Sequence, residues 1–121
     1  MGLARQIMGG GFSAGQAKAL AGSVASAVSA AGTTISDATD LTASINVVTT
    51  AAAASGVQLP SAEIGDEVEI LNLGVGAMIV YPYTSEQINA LSANTGFALA
   101  PNTAVRLRKF TTTRWIGYLS A

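Results

Sequence analysis

The chain of 121 residues carries a net charge of −1 and has neither cysteine nor histidine. Disulfides, thiol nucleophiles, imidazole bases and the common zinc ligand sets are therefore excluded. The length suits one domain, and although half the residues are apolar, much of that half is alanine, so the core should be small and oligomerisation is a common remedy.

Residues 1–32 are rich in Gly, Ala and Ser and hold Arg5 and Lys18 with no acid, whereas residues 33–121 hold four Lys/Arg and seven Asp/Glu. Two cations are too few for a nucleic-acid footprint. They suit seating on an acidic protein surface, with Arg5, Phe12 and Lys18 as contacts. The segment imitates a secretory signal, but Gly22, Ser23 and Ser26 break its apolar run. No stretch approaches ~18 consecutive strongly apolar residues, so no membrane span is expected. Residues 1–32 read as an extended, low-complexity arm. Leu20, Val24 and Val28 recur at helical spacing within it, yet Gly22 and the serines oppose a helix.

From Thr33 the texture becomes β. Ile45, Val47, Val48, Thr49 and Thr50 form a β-branched run, and Val57 and Leu59 alternate before Pro60. "EVEILNL" (67–73) places Val68, Ile70 and Asn72 on one face and Glu67, Glu69, Leu71 and Leu73 on the other. "GVG" (74–76) reads as a hairpin turn and "AMIVY" (77–81) as the return strand. A short strand follows around Phe97 and Leu99. "AVRLRKF" (104–110) alternates with Val105 and Leu107 inward, and "RWIGYLS" (114–120) closes the chain. About seven short strands separated by turns predict a mainly β fold, a small antiparallel sandwich or barrel over residues 33–121.

"VYPYTSEQINAL" (80–91) is where chemistry must be weighed against structure. Tyr81 is a candidate proton donor and Glu86 a candidate base, but the pair lacks a histidine, a second acid and a phosphate cradle. Pro82 cannot donate to a sheet ladder and biases Tyr81 to extended backbone. The stretch is thus expected to be a corner. Pro82 ends a strand at a sheet edge, "TSEQ" is a polar turn, Ile88 and Leu91 plug the open end, and Asn89 bonds loop backbone. On that reading Asn89→Ala lowers stability most, and Glu86→Gln, an exposed carboxylate, least. The acids Glu63, Asp66, Glu67 and Glu69, with Asp37 and Asp40, match no calcium-loop spacing and read as solvated turns. Arg106, Arg108, Lys109 and Arg114 read as one basic patch, a solvent face or an anchor for an acidic partner. Trp115 reads as core or as a subunit contact. No catalytic residue, cofactor or metal site is expected.

The ordered set Leu59-Pro60, Val68 to Asn72, Val80 to Pro82, Ile88 to Leu91, Ala93 to Pro101, Val105 to Leu107 and Trp115 resembles a small β module of tailed-bacteriophage virion proteins. The resemblance covers residues 56–116. It implies a non-catalytic structural role, commonly as a homotrimer, in head-decoration (cement) proteins or in head-fibre and tail-associated proteins. The expected partner is the major capsid protein at the virion surface. The alternative is a fibre module that docks host glycans through Tyr81, Tyr83 or Trp115.

Overall fold

In the computed structural model, which describes residues 23–119, the chain winds between two facing sheets. The strands are β1 (Val24–Ser29), β2 (Thr39–Asp40), β3 (Ile45–Thr50), β4 (Gly56–Gln58), β5 (Glu67–Asn72), β6 (Met78–Tyr81), β7 (Gln87–Ile88), β8 (Phe97–Leu99), β9 (Thr103–Lys109) and β10 (Arg114–Leu119). The larger sheet has the order β1-β3-β5-β9-β10-β7 and the smaller β2-β4-β6-β8. No helix occurs among the described residues, so the mainly β class holds.

The antiparallel sandwich does not. β1, β3 and β5 run parallel in the larger sheet, and β2, β4 and β6 run parallel in the smaller. The chain crosses from one sheet to the other after each strand, laying down three stacked coils. Only the second half turns back: β8 is antiparallel to β6, β9 to β5, and β10 to β9. Alternation of period two marks a strand and its buried face but not its neighbour. "GVG" shows the consequence. β5 and β6 do not pair, and residues 74–76 are a corner between sheets rather than a hairpin. Glycine is needed there for approach: a Cβ on Gly74 would lie 2.6 Å from the Ala51 backbone nitrogen. The corner after β5 rests directly on the corner after β3, tied by the Gly76 N–H donating to the Ala51 carbonyl at 2.9 Å.

Within the stretch read as an arm, Val24–Ser29 forms β1, paired with β3, and Ala31 bridges Gly56. The described part of the weak helical pattern is thus strand, and the sheet begins ahead of the texture change at Thr33. Arg5, Phe12, Lys18 and Leu20 lie outside the described residues.

The core lies between the sheets. Val48, Ile70, Val105, Leu107 and Trp115 come from the larger sheet, and Val57, Met78, Val80 and Leu99 from the smaller, all at most 1% exposed. Asn72, the last residue of β5, is wholly buried with its side chain fully used. Its Nδ2 donates to the carbonyls of Gly76 (3.0 Å) and Leu99 (2.9 Å), and its Oδ1 accepts from Gly74 N–H at 2.9 Å. One side chain thereby fixes the corner and ties both sheets together.

Candidate functional site

Two charged constellations stand out, one buried and one exposed. The buried one answers the question posed by "VYPYTSEQINAL". Glu86 is 8% exposed and Lys109 5%. The Lys109 Nζ donates to Glu86 Oε2 and to the Ala62 carbonyl, each at 2.9 Å, and the Trp115 Nε1–H donates to Glu86 Oε1 at 2.8 Å. Both carboxylate oxygens are therefore occupied by protein donors. A base must be within reach of a substrate's proton, and Glu86 is buried with each oxygen held by a buried protein donor. The expectation that Glu86 is an exposed turn carboxylate is overturned: the turn folds inward because a lysine and an indole N–H, both buried, require an acceptor. Lys109 accordingly leaves the basic patch. It shares strand parity with Val105 and Leu107, the inward positions of β9. Of the two readings of Trp115, core or subunit contact, the burial fits the core: it is 0% exposed.

The rest of the corner is also structural, with one correction. β6 lies between β4 and β8 in the smaller sheet, so Pro82 ends an interior strand and not an edge. Tyr81 lies over two glycines: a Cβ on Gly56 would come 2.7 Å from its ring, and one on Gly96 3.0 Å. Its hydroxyl donates to the Thr33 carbonyl at 3.1 Å. Ile88 is buried, while Asn89 takes the left-handed region at φ 53° and accepts the Gly117 N–H on Oδ1 at 2.9 Å. Asn94, at φ 64°, accepts the Ser85 N–H at 2.6 Å. Asparagine tolerates that backbone region better than other side chains with a Cβ.

The acids do not converge. Asp66 accepts the Glu63 N–H at 2.9 Å and closes a turn. Asp37 accepts the N–H of Thr34 at 2.8 Å and of Thr33 at 3.1 Å, together with the Thr34 hydroxyl at 2.8 Å. These bonds, led by the Thr34 N–H, hold its carboxyl below the ordinary aspartate value. Among the described residues no three acids come together in a way that could hold a metal ion.

The exposed constellation is the outer face of the larger sheet. Register sets Glu67 opposite Arg108 and Glu69 opposite Arg106 across β5 and β9. The first couple forms an exposed ion pair. Glu69 and Arg106 face each other without an ion pair. With Ser44, Ile45 and Asp66 they line a shallow concavity of about 560 Å³. Around these charges the same face carries Val24 (56% exposed), Ile45 (37%), Leu73 (49%) and Tyr118 (61%), with half-buried Val47, Leu71 and Ile116. A sheet face turned to water ordinarily carries polar residues, and this one is largely apolar.

No protein-family model, curated protein or solved structure matches the chain.

Proposed function

We propose that the protein is a bacteriophage capsid decoration (cement) protein, which binds the outer surface of the head as a homotrimer and stabilises contacts between major capsid subunits. The observation that carries the reading is the division of labour among the polar residues. Those in the virion-module pattern, Asn72, Tyr81, Asn89 and Trp115, are spent on holding corners and sheets together, as are Glu86 and Lys109. What remains outward is a broad face of apolar residues mixed with charges of both signs, suited to protein contact. The fibre alternative is less favoured, because two of the three aromatic residues named for glycan contact, Tyr81 and Trp115, are engaged within the fold.

The reading is tested by adding purified protein to heads that lack it. Saturable co-sedimentation in fixed proportion to the major capsid protein, with greater resistance of the heads to heat, is the expected result. Absence of binding to heads, or binding confined to tails, refutes it.

A further inference from the structure

The first of the stacked coils leaves two strand edges open. β1 and β2 are outermost in the larger and the smaller sheet, and among the described residues no strand pairs with their outer sides. β1 runs for six residues with neither a charge nor a proline, the residues that ordinarily keep an exposed edge from pairing. Its two register shifts against β3 cancel, so Val24↔Ile45 and Ser29↔Thr50 keep one interval. We propose that these two edges are the docking surface for residues 3–20 of the same chain, which add one more coil to the stack, a placement that holds whatever the protein binds.

Three observations support this occupant. The first is a repeat. Ser23 and Ser44, 21 residues apart, stack at equivalent places ahead of β1 and β3, with their hydroxyls 3.2 Å apart and the Ser44 N–H donating to Ser23 Oγ at 3.0 Å. Leu41 enters the core from the smaller sheet just before Ser44. Leu20 precedes Leu41 by the same interval, and Gly11 so precedes Gly32, the corner glycine at φ 72°. Stacked coils are recognised by such recurrence. The second is the pattern of faces. At that interval residues 3–8 fall along β1, and residues 18–20 along β2 and Leu41. Ile7 then neighbours Val28, which packs on the core, and Leu20 neighbours buried Leu41. Leu3 and Arg5 neighbour Val24 and Ser26, both exposed. The third is charge and reach. Asp40 ends β2, exposed and with no ion pair among the described residues. Lys18 falls beside Thr39, next to Asp40, and residues 1–22 hold no acid to oppose it. The chain crosses from the smaller to the larger sheet between Leu41 and Ile45, and Leu20 and Val24 have the same separation. The segment thus reaches both edges of its own chain without the longer linker that a neighbouring copy would need. Covered in this way, the stack no longer offers a neutral parallel edge to other chains.

The test uses the full chain, which has no cysteine of its own, so an introduced pair supplies the only thiols. The double variants are Leu3→Cys/Val24→Cys and Met8→Cys/Val24→Cys, oxidised mildly in dilute solution and followed by mass on non-reducing gels. In the added coil residue 3 lies opposite Val24 at the ~4.8 Å strand spacing, whereas residue 8 lies roughly 16 Å further along at ~3.3 Å per residue. Only the first pair is within the ~4.4–6.8 Å that a disulfide spans. A loose segment would instead close the shorter loop, from residue 8, at least as readily. The expected result is an intramolecular disulfide that forms about tenfold faster or more in the Leu3 variant, because the Met8 pair must first undock. Equal rates, a faster Met8 pair, or no disulfide in either overturns the inference. Disulfides that form mainly between molecules assign the edge to another copy and also overturn it. A second measurement reads the buried side: Ile7→Asp should lower the urea midpoint and Arg5→Asp should leave it unchanged. An unchanged midpoint for Ile7→Asp, or equal losses for the two, overturns the placement.

Discussion

Replacing Glu86 by glutamine keeps the shape of the side chain and removes its charge. Two donors converge on the carboxylate, Lys109 Nζ at 2.9 Å on one oxygen and Trp115 Nε1 at 2.8 Å on the other. Glutamine offers one acceptor oxygen and turns an NH₂ group toward the second donor. If the amide oxygen serves the indole, Lys109 keeps only the Ala62 carbonyl and stays buried without a counter-charge. If it serves the lysine, the indole N–H loses its acceptor and meets another donor. Removing one partner of a buried ion pair costs about 3–5 kcal/mol. In a domain of this size that lowers the melting temperature by about 10–20 °C. Thermal melts and urea titrations of the wild type and Glu86→Gln measure it directly, and the urea midpoint should fall with little change in slope. The double variant Glu86→Gln/Lys109→Met should recover much of the loss, because the stranded charge is gone. A loss under about 1 kcal/mol, the range of exposed pairs, would show that the carboxylate is solvated and that the buried network does not hold the corner.

Three further outcomes follow from the same geometry. Asn72→Ala strands the Gly74 N–H and the carbonyls of Gly76 and Leu99 at a wholly buried site, where each unmet group costs about 1–3 kcal/mol. It should therefore lower the urea midpoint more than Asn89→Ala, which frees one N–H near the surface. Gly74→Ala pushes a Cβ to within 2.6 Å of backbone in the neighbouring corner and should cost about 1–3 kcal/mol in a thermal melt; a corner free of that stacking would instead gain about 0.4–1 kcal/mol from the stiffer unfolded chain. The Asp37 carboxyl should titrate below 3.8 by NMR, because the Thr34 N–H and hydroxyl and the Thr33 N–H favour its charged form. Its folded value is depressed, so its contribution is present above the unfolded value and is lost as pH falls through the folded one. Asp37→Asn should flatten that part of the acid limb, and a midpoint at or above 3.8 contradicts the turn.

The elements themselves were largely legible. Alternation in "EVEILN" and "AVRLRK" marks β5 and β9 and assigns their faces, and Pro82 and the asparagines mark where the chain must turn. Pairing was not legible. A short strand buries the same face whether its neighbour runs parallel or antiparallel, and two glycines around Val75 suit a hairpin as well as a close-stacked corner. The rank of Glu86 above Asn89 was missed because its partners lie 23 and 29 residues away. One signal was present nonetheless: Lys109 continues the inward positions Val105 and Leu107, and an inward lysine demands an acid. Leu71 and Leu73 on the same face as Glu67 and Glu69 likewise marked an outer surface less polar than a solvated sheet requires.

Whether the chain is a structural protein of a phage head is decided by a cryo-EM map of phage particles assembled in its presence. The two-sheet domain should appear in hundreds of copies on the outside of the head, grouped in threes where capsid subunits meet. A handful of copies on a fibre or the tail, or none on the particle, would contradict it.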